Sequence, residues 1–125
     1  MWVHRGVWTS EMGLLLYFAY GSNMLTERLI ARVPSAVPVV TGRVLGRRLD
    51  FAKRSMDGSG KADMPLQLGA TVQGVLFEMA RTHLSALDAY EGCGFGYDRM
   101  RMQVEHADGT AVEAISYVAT DRLQG

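Results

Sequence analysis

The chain has 125 residues, 48% of them hydrophobic and 21% charged, with 13 Lys and Arg against 13 Asp and Glu. That is the make-up of one ordinary globular domain with enough apolar material for a core. A formal charge of zero excludes a general electrostatic attraction to nucleic acid or to an anionic membrane. No apolar run approaches the length of a membrane span. The single cysteine, Cys93, excludes an internal disulfide, and with three scattered histidines (His4, His83, His106) it leaves no Cys/His zinc spacing. A reducing cytoplasm is the expected setting.

Residues 1–11, MWVHRGVWTSE, show neither helix nor strand period and no apolar stretch of signal-peptide length. They are expected to be a flexible extension, with Met12 as the natural start and residues 12–125 as a single domain. Leu14 to Tyr20 is apolar or aromatic without a break, which reads as a strand buried on both faces. Gly21, Ser22 and Asn23 then turn the chain. A helix follows near 24–33, with Leu25, Leu29 and Arg32 on one side, Ile30 and Val33 widening the apolar edge, and Asn23 or Ser22 as cap. A strand, a tight turn and a helix N-terminus make a concave set of backbone N–H groups suited to a carboxylate or phosphate.

Pro34 and Pro38 mark boundaries. Residues 37–51 favour strand, interrupted by Gly42 and Gly46 as bulges. The basic cluster Arg43, Arg47, Arg48, Lys53 and Arg54 is diluted by Asp50 and apolar neighbours and reads as a solvated strand face. Residues 53–69 read as a surface loop, either a lid or a structural loop. Residues 70–79 form the next strand, with Gly74 inside it. Thr82 is placed to cap a helix from His83 to Glu91, which Gly92 ends. Residues 97–105 and 111–119 alternate as strands around an Asp108-Gly109 hairpin turn. The result is an α+β fold: a small, mainly antiparallel β-barrel of about five to six strands with flanking helices.

In the second helix Leu84, Leu87 and Glu91 stand at i, i+3 and i+7 and share a face. The leucines require the core, so Glu91 points inward or into a cleft. Burial and the negative end of the helix dipole both raise the pKa of such a carboxylate, which suits it to accept and return a proton. The opposing reading is a glutamate bent to solvent or paired with Arg99 or Arg101. Asp88 reads as an exposed helix acid. Cys93 has no histidine placed to activate it, and Ser22 lacks the G-x-S-x-G setting of a nucleophile, so a binding hydroxyl is its expected role. Tyr97 and Tyr117 either pack in the sheet or aim a hydroxyl into a cavity.

Tyr17-Phe18-Ala19-Tyr20-Gly21-Ser22-Asn23, with the helix after it, resembles the opening motif of the gamma-glutamylcyclotransferase (AIG2-like) family. Gly74-Val75-Leu76-Phe77 resembles the family's G-x-[LV]-[FW] strand. Leu87-Asp88-Ala89-Tyr90-Glu91-Gly92 resembles its L-D-x-x-E-G, whose glutamate is the catalytic acid/base. Tyr97 and Ser116-Tyr117 match later positions, so the resemblance runs over residues 14–119. It implies intramolecular acyl transfer that releases 5-oxoproline and an amine or amino acid from a gamma-glutamyl amide. It implies Glu91 as catalytic acid/base and Tyr17, Phe18, Ala19, Tyr20, Gly21, Ser22, Asn23, Tyr97 and Tyr117 as substrate-binding residues. No metal and no cofactor are required. The expected partner is a small gamma-glutamyl molecule, not nucleic acid or membrane, with a homodimer as the candidate assembly. Alternatives are a cyclotransferase for gamma-glutamylamines, or a catalytically silent binding protein on the same fold. The chain departs from the family in ending soon after the last matched strand, in the glycine-rich connector at residues 92–96, and in the segment before Met12.

Overall fold

The computed structural model describes residues 13–21, 26–51, 62–94 and 96–120. The expected extension before Met12 and the expected caps Ser22 and Asn23 lie outside them. The described elements are β1 (Leu14–Ala19), α1 (Thr26–Arg32), β2 (Val37–Arg47), β3 (Asp50–Phe51), β4 (Ala62–Asp63), β5 (Leu66–Ala80), a 3-10 turn (Arg81–His83), α2 (Leu84–Glu91), β6 (Tyr97–Glu105) and β7 (Ala111–Ala119). Five strands close into a barrel in the order β1-β5-β2-β6-β7, and β3 and β4 form a two-stranded sheet.

The apolar run of β1 serves two cores because successive side chains leave opposite faces of a strand. Leu16, Phe18 and Tyr20 fill the barrel with Val44, Val72, Leu76, Val104 and Val112. Leu15, Tyr17 and Ala19 face outward and pack with Leu29 and Val33 beside α1, Leu87 of α2, Phe77 of β5, and Tyr97 and Tyr117. Burying each large side chain of this kind is worth roughly 1.5–3 kcal/mol. Ile30, placed on the apolar edge of α1 by its spacing, is 37% exposed. The helix is short, and the full burial of Leu29 within it and of Val33 just after it leaves Ile30 on the rim.

β1 pairs antiparallel with β5 from Leu14↔Ala80 to Ala19↔Val75. Gly74 follows at the end of that ladder. A Cβ there would lie 2.4 Å from the Ala19 carbonyl oxygen and 2.6 Å from the Phe18 ring. Three sequence expectations need correction. Gly42 is no bulge: it pairs in register with Gly74, and the register shifts lie instead between Pro38 and Val40 and between Leu45 and Arg47. Gly46, with φ +80°, sits in the second shift. The loop over 53–69 holds structure at its end, since Ala62–Asp63 and the first residues of β5 are strand. Thr82 does not cap the second helix. It lies in the 3-10 turn, His83 occupies the cap position, and no side-chain capping bond forms there. Ser35 Oγ instead accepts the Ala80 N–H at 3.0 Å and shares a 2.7 Å hydrogen bond with His83 Nδ1, which fixes where α2 begins.

Each long ladder is antiparallel, but the barrel closes on two short seams. β1 and β7 run parallel and share one bridge, Tyr17↔Ile115. Side chains extend that seam: Ser116 Oγ donates to the Phe18 carbonyl at 2.8 Å, and Tyr20 Oη donates to the Tyr117 carbonyl at 2.6 Å. β2 and β6 meet at Arg43↔Glu105, and the same two residues form an ion pair at 2.7 Å. That pair is partly exposed and contributes little by itself. Ser116 is fully buried. Ser116→Ala should therefore cost about 1–2 kcal/mol, read as a lower urea midpoint. An unchanged midpoint would mean the seam does not depend on this bond.

Candidate active site

Glu91 ends α2, and the helix pattern dictates where it goes. Leu87 is fully buried, and Glu91, one turn on, is 9% exposed. Gly92 adopts φ +77°, which a side chain would resist, and closes the helix. The Cys93 N–H then returns to the Asp88 carbonyl at 2.9 Å. The apolar stripe thus carries the carboxylate inward, where the Tyr17 hydroxyl donates to Glu91 Oε2. The carboxylate is thus held largely out of bulk water with a phenol donor against it.

The opposing sequence reading bent Glu91 to solvent or paired it with Arg99 or Arg101; Glu91 is buried, and Arg99 bonds Asp88, with Nη1 at 2.5 Å from Oδ2. Asp88 is also more than an exposed acid, since its Oδ1 accepts the Tyr117 hydroxyl at 2.5 Å. One carboxylate therefore neutralises the arginine and orients a tyrosine, while the other sits deeper against Tyr17.

Four of the chain's five tyrosines gather here. Tyr17 and Tyr117 meet edge to face with ring centres 6.1 Å apart. Tyr20 bonds the Tyr117 carbonyl, and the Tyr97 hydroxyl donates to the Ala62 carbonyl at 2.8 Å. Burial, and then neighbouring negative charge, pushes the phenols of Tyr20, Tyr97 and Tyr117 well above their ordinary value of 10.0. The charge of Glu91 acts on all three, and that of Asp63 on Tyr20 and Tyr97. All three are thus hydrogen-bond donors at neutral pH. Because the fold holds these protons more tightly than the unfolded chain, stability is complete below about pH 10 and falls as pH rises past it. Urea unfolding should show a lower midpoint at about pH 10.5 than at about pH 8. An equal midpoint would mean these phenols titrate alike in both states.

Of the residues named from sequence, Tyr17, Tyr20, Tyr97, Tyr117 and Glu91 are brought together. Phe18 and Ala19 are fully buried, with Phe18 turned into the barrel and its carbonyl used by Ser116. Gly21, φ +63°, lies so close to β4 that a Cβ on it would be 2.4 Å from Ala62 Cβ. Ser22 and Asn23 lie outside the described residues. Cys93 is half-buried beside the site and bridges to Tyr97 through backbone. Among the described residues no group of three or more His, Cys, Asp or Glu is arranged to hold a metal ion.

Sequence reasoning missed β4. Ala62-Asp63-Met64 before Pro65 is too short to show a period, yet it supplies the acceptor for Tyr97 and a second buried acid, Asp63. It also missed the Asp88–Tyr117 bond, for which the Leu87-Asp88 step of the helix motif was the available signal.

A closed small barrel with a helix-borne buried glutamate among tyrosines defines the class, and comparison with known proteins gives the family. The family model described as gamma-glutamyl cyclotransferase, AIG2-like, matches residues 17–125, and the chain belongs to that family. The gamma-glutamylcyclotransferases of Mus musculus and Homo sapiens are 37% and 36% identical over 112 residues, which is 85% of this chain. The chain spans about 60% of the length of these curated relatives. A solved gamma-glutamyl cyclotransferase structure superposes with a TM-score of 0.80 at 35% identity, covering 86% of this chain and 67% of that one. The YkqA protein of Bacillus subtilis superposes at 0.69 with 27% identity, covering 89% of this chain and 42% of its own. No helix among the described residues is long and apolar enough to cross a membrane.

Proposed function

We propose that the chain is a gamma-glutamylcyclotransferase with Glu91 as its catalytic acid/base. The substrate's α-amino group is the nucleophile, and its own γ-carbonyl carbon is the target. Glu91 takes a proton from the α-ammonium, and the freed lone pair forms the new C–N bond. The tetrahedral intermediate then collapses, the original amide C–N bond breaks, and Glu91 returns the proton to the leaving nitrogen. The products are 5-oxoproline and an amine or amino acid.

Backbone N–H groups of residues 20–23 hold the substrate's α-carboxylate and help to stabilise the oxyanion. Tyr17 orients Glu91, and Tyr20, Tyr97 and Tyr117, kept protonated and tied to the protein by their hydroxyls, shape the space for the folded gamma-glutamyl group. Holding both ends of one molecule together supplies a large part of the rate. No metal or cofactor has a step in this chemistry. The single cysteine suits a reducing compartment such as the cytoplasm.

The observation that carries the proposal is the inward Glu91 at the end of α2, 9% exposed and accepting the Tyr17 hydroxyl. A carboxylate held out of bulk water beside a phenol donor is placed to take a proton and return it. The test is a panel of gamma-glutamyl amino acids and gamma-glutamylamines, assayed for 5-oxoproline. Release from at least one compound is expected, and the preferred compound names the leaving group. Saturable binding with no turnover on any compound would replace the proposal with a binding role.

A further inference from the structure

The seam between β1 and β7 is fastened at one end and open at the other. Both strands run the same way through the bridge Tyr17↔Ile115. Beyond it, toward their C-terminal ends, the Ser116 and Tyr20 hydroxyls tie the strands together. Before it no further residue pair forms between them. A cleft of about 430 Å³ lies on that side, with Leu15 and Leu16 of β1 facing Glu113, Ala114 and Ile115 of β7. Leu84 and Met100 add apolar wall. The volume is in the range of small-molecule sites.

Three arginines also line the cleft: Arg81, Arg99 and Arg101. Arg81 arrives there because the β1–β5 ladder begins at Leu14↔Ala80, and its backbone N–H donates to the Gly13 carbonyl at 3.0 Å. Arg99 and Arg101 stand two apart on β6, so they leave the same face, opposite Tyr117 and Ile115. Their donors are only partly used. Arg81 Nη2 reaches the Leu14 carbonyl at 3.5 Å, and Arg99 Nη1 holds Asp88 at 2.5 Å. Among the described residues the ion pairs are Arg43–Glu105, Arg48–Asp50 and Arg99–Asp88, so Arg101 and Glu113 are in none. Three guanidinium groups thus share the cleft with one carboxylate on its wall, Glu113. Cations gathered in one cleft focus a positive field that an anion relieves.

We infer that this cleft binds a small organic anion bearing two or more carboxylate or phosphate groups. The arginine forks match the paired oxygens of either group, and the leucines and Ile115 take the carbon skeleton. None of the residues proposed above for catalysis or substrate binding lines the cleft, so this is a second site. The two still communicate. Arg99 holds Asp88, and Asp88 holds the Tyr117 hydroxyl, so an occupant that bonds Arg99 meets the network that positions Tyr117.

Titration calorimetry of the wild-type chain at fixed ionic strength tests the assignment, with citrate as the carboxylate probe and fructose bisphosphate as the phosphate probe. Saturable binding of at least one is expected, and the tighter probe names the group. Arg101→Gln should weaken that binding about tenfold and leave the urea midpoint unchanged, since Arg101 is in no ion pair that the fold uses. Glu113→Gln should tighten it about twofold by removing the opposing charge. Arg48→Gln removes an equal charge outside the cleft and should change nothing. Failure of both probes to bind overturns the assignment, as does binding indifferent to Arg101. Equal weakening by Arg48→Gln and Arg101→Gln also overturns it, because the charge of the whole protein would then account for the binding.

Discussion

Replacing Glu91 by Gln should lower kcat for 5-oxoproline release by about 10²–10⁴-fold, the usual contribution of a positioned general acid/base. Gln has nearly the same shape and still offers an oxygen to the Tyr17 hydroxyl, so the helix end and its packing should survive. What it lacks is the ability to take a proton from an ammonium and return it to the leaving nitrogen. The loss should therefore appear in kcat, with KM changed much less, because the substitution leaves the other proposed substrate contacts in place. A matching urea midpoint for the two proteins would separate lost chemistry from lost fold. Full activity in Glu91→Gln would remove Glu91 from the mechanism, whatever its burial.

The largest stability effect is expected at Gly74. An alanine Cβ there would sit 2.4 Å from the Ala19 carbonyl oxygen and 2.6–2.7 Å from two atoms of the Phe18 ring. The first contact is with backbone, and β1 is held against β5 by a ladder of six residue pairs. The carbonyl can move only if β1 peels from β5, and the Phe18 ring can move only by leaving the barrel core. Gly74→Ala should cost about 3 kcal/mol, the upper end of the range for overpacking. The cost should reach function as well, because β1 also carries Tyr17 and ends at the Gly21 turn. Chemical unfolding measures it, and a midpoint within error of wild type would mean the β1–β5 contact is looser than its geometry.

Much of this arrangement was legible in the amino-acid order, for identifiable reasons. β1 announced itself because a strand with a core on each face has no polar positions to interrupt it. The hairpin of β6 and β7 was readable because Asp108-Gly109 permits a turn that most residue pairs resist, and Gly109 indeed adopts φ +89°. Glu91 was readable because helical spacing tied it to Leu84 and Leu87, and Gly92 marked where the helix stops. Contacts made across sequence were not readable. Asp88 looked like a surface acid because its partner Tyr117 lies 29 residues away on another element. Asp63 was hidden in a segment too short to show a period, and its burial comes from where β4 docks. Gly42 and Gly74 looked alike as breaks in strands. Only the pairing of the two strands shows that both are small because Val104 and Phe18 lie over them.

Product identity tests the central claim most directly. Gamma-glutamylalanine incubated with the wild-type chain should give 5-oxoproline and alanine in equal amounts and no free glutamate, because the substrate's own amine displaces the leaving group before water can. Free glutamate in place of 5-oxoproline would make this a hydrolase, and alanine release that persists unchanged in Glu91→Gln would leave the buried glutamate without its role.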